Sequence, residues 1–181
     1  YKAYDTHLEI EVAVKVIRTE NIPPKTLSQT LKRFSREGRI LQKLDHPNIV
    51  KVLDFGESNA QPFLVMQYLP SGTLKQYIKK RKQIPWKEAV HLLIPILEDL
   101  DYAHSQGVIH RDIKPSNILL TTSSQPMLTD FGVAKIIEDE ATQDLTATSA
   151  SVGTPEYMAP EQITSKSFDA RADLYSLGVV F

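Results

Sequence analysis

The chain has 181 residues, with 7 Gly, 11 Pro, no Cys, and 21 Lys and Arg set against 22 Asp and Glu. That length can bury a core without cross-links, and the absence of Cys excludes a disulfide framework, a zinc knuckle and a thiol nucleophile and fits a reducing compartment. Balanced charge gives no global field to recruit nucleic acid or an anionic membrane, and the longest nearly unbroken apolar run, Ala89–Leu97, is far short of the ~20 residues that span a bilayer.

Tyr1–Tyr4 reads as the tail of one strand, and the β-branched run at 10–17 predicts the next. Asn21-Ile22-Pro23-Pro24 breaks the chain. Leu27, Leu31, Phe34, Leu41 and Leu44 then recur at helical spacing, predicting an amphipathic helix over 26–44 that ends at Asp45-His46-Pro47-Asn48. Short strands are expected near 49–54 and 62–67, joined by the polar turn Glu57-Ser58-Asn59-Ala60. Pro70-Ser71-Gly72 is the first plausible boundary between lobes, dividing the chain into 1–69 and 70–181. Helices are expected at 73–82 and 86–106, the second kinked at Pro95, which removes a helical hydrogen bond to the carbonyl of His91. Residues 107–165 are mostly irregular, with short apolar runs at 117–120 and 126–129. Loops this long in a compact domain are usually functional. A last helix starts near Asp169 and reaches Phe181.

The densest chemical signal is His110-Arg111-Asp112-Ile113-Lys114-Pro115-Ser116-Asn117, set between apolar Gly107-Val108-Ile109 and Ile118-Leu119-Leu120. Packing has little use for so many polar groups there. Asp, Lys and Asn at relative positions 0, +2 and +5 can hold a base, a cation and a metal ligand on one loop, the pattern of the protein-kinase catalytic loop. Asp-Phe-Gly occurs twice. Asp54-Phe55-Gly56 lies upstream and reads as a strand end; Asp130-Phe131-Gly132 lies 18 residues after Asp112 and 13 after Asn117, room for one hairpin. Such a hairpin can bring Asp130 beside Asn117, so that both can hold Mg²⁺ on a nucleotide's phosphates. Lys15 sits in a strand that is apolar on both sides, and Glu37 on the apolar stripe of its helix. Two such charges on adjacent elements most simply pair with each other.

Taken in order, Val12-Ala13-Val14-Lys15, Glu37, His46-Pro47-Asn48-Ile49-Val50, His110–Asn117, Asp130–Gly132, Gly153–Glu161 and Asp173–Gly178 resemble a Hanks-type Ser/Thr protein kinase domain, with bacterial examples nearest. The resemblance implies an α+β, bilobal fold with a small β-rich lobe and a mainly helical one. It implies ATP and Mg²⁺ (or Mn²⁺) as cofactors and proteins with Ser/Thr acceptors as substrates. Lys15, held by Glu37, would contact the α- and β-phosphates; Asp112 would orient the hydroxyl and accept its proton; Lys114 would steady the transferring phosphoryl group; Asn117 and Asp130 would be the metal ligands. Met66 would guard the back of the adenine pocket, the Gln67 carbonyl and Leu69 amide would bind the adenine edge, and Ala13 and Leu119 would cover its faces. Leu41, Val52, Phe131 and His110 would stack into an apolar column in the active form.

Lys114, together with Thr154 in the Gly-Thr-Pro-Glu segment, implies Ser/Thr rather than Tyr specificity. Arg111 beside Asp112 implies control by phosphorylation among Thr142, Thr146, Thr148, Ser149 and Ser151, with Thr146 and Thr148 favoured and a transient kinase dimer for reaction in trans. A cytoplasmic kinase domain is expected. The pattern departs from the family at both ends: no Gly precedes Gly38, so the glycine-rich phosphate loop is missing, and Phe181 falls inside the helix that forms the large lobe's pillar. The 181 residues are therefore expected to be the central two-thirds of a kinase domain, weakly active or inactive by themselves. The other class of function is a nucleotide-binding pseudokinase scaffold, marked by loss of Lys15, Asp112 or Asp130, and none of these is lost.

Overall fold

The computed structural model describes every residue except 21, 23, 60, 133–154 and 165–167. Its contacts divide the chain into two compact units. One holds residues 1–45 and 51–68; the other holds 46–50, 69–132 and the described residues from Pro155 to Phe181.

The first unit is a four-stranded antiparallel sheet with one helix. Its strands are β1 (Lys2–Asp5), β2 (Ile10–Val16), β3 (Val52–Ser58) and β4 (Gln61–Gln67), in the order β1-β2-β4-β3, and its helix is α1 (Pro24–Lys43). Asp5 Oδ1 closes the β1–β2 turn by accepting the amides of His7 and Leu8, each at 2.9 Å. Helix α1 buries Thr30, Phe34 and Leu41 and packs on β3 and β4. The approach is close at Gly38, where an added Cβ would stand 2.8 Å from the Phe55 ring, so a side chain larger than hydrogen would push the helix off the sheet. Asp54-Phe55-Gly56 is not a strand end. It lies inside β3, with Phe55 opposite Leu64 and Gly56 opposite Phe63, because the β3–β4 turn falls at Asn59 and the strand extends to Ser58.

The second unit is mainly helical. Thr73 caps α2 (Leu74–Arg81): the Gln76 amide donates to its hydroxyl at 3.2 Å, and its own amide donates to the Gln76 side chain at 2.9 Å. Helix α3 (Trp86–Ser105) runs its full length with Pro95 inside and buries Leu92, Ile96, Leu100 and Ala103 on one face. In the hairpin of β5 (Ile118–Leu120) and β6 (Pro126–Leu128), β6 packs on α3 and β5 on α2. The Leu128 amide donates to the Asn48 carbonyl and the Val50 amide to the Leu128 carbonyl, both at 2.8 Å, so residues 48–50 lie alongside β6. A short helix α4 (Pro160–Thr164) and α5 (Arg171–Val180) complete the unit. On α5, Leu174, Tyr175 and Val179 are exposed while Leu177 is buried.

Candidate active site

The chemistry-bearing loop is organised around a carboxylate that the sequence places only in the Asp173–Gly178 segment, with no partner assigned to it. Asp173, near the start of α5, is 1% exposed. Its Oδ2 accepts the His110 amide at 2.8 Å, its Oδ1 accepts the Arg111 amide at 2.8 Å, and His104 Nε2 donates to Oδ2 at 2.8 Å. Burial alone would raise its pKa, but the His104 hydrogen bond and the two backbone amides outweigh burial and hold it below the usual carboxylate range. One buried anion therefore fixes the backbone entering Asp112. The available signal was an acid between Ala172 and Leu174 on a helix that is otherwise largely apolar.

Arg111 takes a left-handed backbone with φ +69°, a conformation that costs a non-glycine residue on the order of 1–2 kcal/mol. The Asp173 clamp on its amide offsets that cost, as does the 3.1 Å hydrogen bond from Gln162 Nε2 on α4 to its carbonyl. The Arg111 guanidinium lies 5.7 Å from the centre of the Phe168 ring. His110 is fully buried, its ring centre lies 4.6 Å from that of Phe131 with the planes tilted by 41°, and its Nε2 meets the Thr129 carbonyl at 2.9 Å. Burial pushes its pKa down, so the ring is neutral and donates from Nε2 to that carbonyl. This leaves Nδ1 to accept the Asp112 amide at 3.3 Å.

On this base Asp112, Lys114 and Asn117 converge. Lys114 Nζ lies 2.8 Å from Asp112 Oδ2, and Asn117 Nδ2 donates to both Asp112 Oδ2 and the Asp112 carbonyl at 2.8 Å. Asp112 and Lys114 are half-buried and Asn117 is buried. With its amide nitrogen committed to Asp112, Asn117 keeps Oδ1 as the atom able to meet a cation. The hairpin does what its length allowed. Ile118 pairs with Leu128, and the Thr129 amide donates to the Asn117 carbonyl at 3.0 Å, so Asp130 follows directly after the residue bonded to Asn117. Asp130 has φ +64°, and the Gly132 amide donates to the His110 carbonyl at 3.0 Å. An amide-oxygen and carboxylate donor pair suits Mg²⁺, which takes one or two protein oxygens and fills its other positions with phosphate and water.

In the first unit Ala13 pairs with Met66 and Val12 with Gln67 across β2 and β4; Met66 is buried, and Leu41 and Val52 are both in the core. Lys15 is half-buried on β2 and Glu37 half-buried on α1. Both lie in this unit, in which α1 packs on β3 and β4. In the second unit Leu119 bridges to Thr73, and Leu69 is half-buried. Thr154 and the positions Thr142, Thr146, Thr148, Ser149 and Ser151 lie outside the described residues.

A loop of this geometry, followed by its hairpin and Asp-Phe-Gly, defines a kinase-type site, and the chain belongs to the protein kinase domain family, whose pattern matches residues 1–181. It is 37% identical over 182 residues to the probable serine/threonine-protein kinase SCO3848 of Streptomyces coelicolor, covering 98% of this chain and 26% of that protein. It is 37% identical to the probable serine/threonine-protein kinase PknB of Lactococcus lactis, covering 99% of this chain and 28% of that protein. The crystal structure of a mutant form of the Mycobacterium tuberculosis PknI kinase domain superposes with a TM-score of 0.76 at 29% identity, covering 99% of this chain and 65% of that one. The chain thus spans about a quarter of the length of the curated relatives it matches.

Proposed function

We propose that this chain carries the catalytic centre of a protein Ser/Thr kinase that transfers the γ-phosphoryl group of Mg·ATP to Ser and Thr hydroxyls of protein substrates. The observation that carries the reading is the Asp112 carboxylate, held 2.8 Å from both Lys114 Nζ and Asn117 Nδ2 on a backbone clamped by Asp173. Asp112 takes the proton of the acceptor hydroxyl as its oxygen bonds to the γ-phosphorus and the bond to ADP breaks. Lys114 reaches the transferring group and offsets its charge, and Thr154 helps to seat the acceptor hydroxyl. Asn117 Oδ1 and Asp130 hold Mg²⁺ (or Mn²⁺), which supplies charge neutralisation of the phosphates. Lys15, supported by Glu37 once paired, takes the α- and β-phosphates. Ala13, Met66, Gln67, Leu69 and Leu119 take the adenine.

Autophosphorylation at Thr146 or Thr148, in trans within a dimer, gives Arg111 a charge-assisted partner and tunes the site. The reading places this domain in the cytoplasm. Among the described residues no helix is long and apolar enough to cross a membrane.

The test is phosphoryl transfer from labelled ATP to a generic protein substrate, by the chain and by a longer polypeptide that carries it, followed by phosphoamino-acid analysis. Phosphoserine or phosphothreonine that disappears in Asp112→Asn supports the reading. Transfer that survives Asp112→Asn, or label confined to tyrosine, overturns it.

A further inference from the structure

Helix α1 carries Lys25, Lys32, Arg36, Arg39 and Lys43, and all five are exposed. At 3.6 residues per turn, positions separated by 7, 11, 14 and 18 fall within an arc of roughly 60° and along roughly 27 Å of axis. The row points away from the side that buries Thr30, Phe34 and Leu41. Several other exposed cations are paired: Lys2 with Glu11, Lys51 with Asp45, Arg81 with Glu88 and Arg171 with Asp169. Among the described residues none of the five has an anionic partner. The chain is otherwise balanced, with a net charge of −1, so the row is a local field that the global count conceals.

The row also works against its own helix. Lys32–Arg36, Arg36–Arg39 and Arg39–Lys43 are like-charged neighbours at helical spacing, and no acid sits in the first turn to meet the helix dipole. A solvated helix face usually alternates sign. This one does not, and an anionic occupant would relieve the repulsion.

We propose that the outer face of α1 docks an acidic polypeptide segment in extended conformation. The four cations from Lys32 to Lys43 span roughly 16.5 Å of axis, against roughly 20 Å for four alternate carboxylates on an extended chain, a difference that the long Lys and Arg side chains can take up. The half-buried Leu31 and Ile40 flank the row and offer apolar contact to the intervening side chains. A lipid surface fits less well, since Ser28, Gln29 and Ser35 supply no bulky apolar group to insert near the cations. A nucleic acid also fits less well. The row has no aromatic side chain on which bases could stack.

The probe is a fluorescein-labelled twelve-residue peptide with Glu at alternate positions, titrated with the 181-residue chain and followed by anisotropy. The comparison ligands are the same peptide with Lys for Glu, a single-stranded DNA twelve-mer, and phosphatidylserine vesicles. Lys32→Glu combined with Arg39→Glu converts all three like-charged neighbour pairs into opposite-charged ones. This double variant is expected to bind the acidic peptide at least tenfold more weakly and to unfold at a higher temperature than the parent. Lys79→Glu with Lys80→Glu on α2 makes the same charge change elsewhere and is expected to leave binding within twofold. The proposal is overturned if the α1 variant binds the peptide as well as the parent does, if both variants weaken it equally, or if DNA or vesicles bind the row more tightly than the peptide.

Discussion

Asp99 lies in the middle of α3, 0% exposed, and its carboxyl carries a prediction that depends on sign as well as size. Burial, with a further push from the neighbouring Glu98 charge, raises its pKa from 3.8 to about 8, against a smaller pull down from the Leu128 amide. His46 Nδ1 lies 2.7 Å from Oδ1, but the angles are too poor for a well-formed hydrogen bond, so neither atom is satisfied by the contact. The folded state therefore keeps a proton on Asp99 that the unfolded chain releases above pH 4. Stability falls as pH rises through this window, by about 1.4 kcal/mol per unit for one full proton. His110 acts in the opposite direction. Its folded pKa is depressed by burial, so unfolding takes up a proton below the ordinary histidine value of 6.5, and stability is lost as pH falls.

The two slopes oppose one another below pH 6.5, leaving the Asp99 slope exposed between 6.5 and 8. Over that interval the unfolding free energy is expected to drop by about 2 kcal/mol, which is about 4–8 °C in Tm for a chain of this size. Asp99→Asn removes the titration and is expected to flatten the profile there, and Glu98→Gln to move the fall toward lower pH. Urea midpoints at pH 6.5, 7.2 and 8.0, read by far-UV circular dichroism and by the fluorescence of the single Trp86, check both. An identical slope in the parent and in Asp99→Asn would refute the assignment of the proton to this carboxyl.

Asp173→Ala strands the His104 ring and the amides of His110 and Arg111 in the interior. It is expected to cost on the order of 3–5 kcal/mol in urea unfolding, and to lower phosphoryl transfer far more than ATP affinity. Gly132→Ala places a Cβ 3.0 Å from the His110 carbonyl oxygen and 3.3 Å from Arg111 Cβ. It should cost about 1–3 kcal/mol by overpacking and weaken Mg²⁺-dependent ATP binding, seen as a smaller ATP-induced rise in Tm.

Much of the second unit was legible because its function forces unusual residues into fixed order. The catalytic loop, the hairpin length and the second Asp-Phe-Gly each restrict the backbone, and the Thr129–Asn117 hydrogen bond is where the spacing placed it. The first Asp-Phe-Gly was misread for a physical reason. Its three residues carry no mark of a strand interior, and only the pairing of Phe55 with Leu64 and the close contact of Gly38 on Phe55 define their place. The partners of Asp173 were invisible for a different reason. His104, His110 and Arg111 are 62–69 residues away in sequence, and a long-range clamp leaves no periodicity at either end.

One rule, that a charge on an apolar face must find a partner, gave different results at three places. At Asp173 it holds in full: an acid 1% exposed has three hydrogen bonds and a depressed pKa. At Asp99 burial is as deep but the partnering is poor, and the group responds by keeping its proton rather than by recruiting a cation. At Glu37 the rule asked for Lys15, yet the side chain is only half-buried, at the edge of the α1 stripe rather than in it. The desolvation cost that makes a partner obligatory grows with burial. A half-exposed carboxylate retains enough water to do without one, so the Lys15–Glu37 contact is optional on grounds of burial alone. That is the physical condition for a pair that can form and break with the position of α1, whereas the clamp at Asp173 has no such freedom.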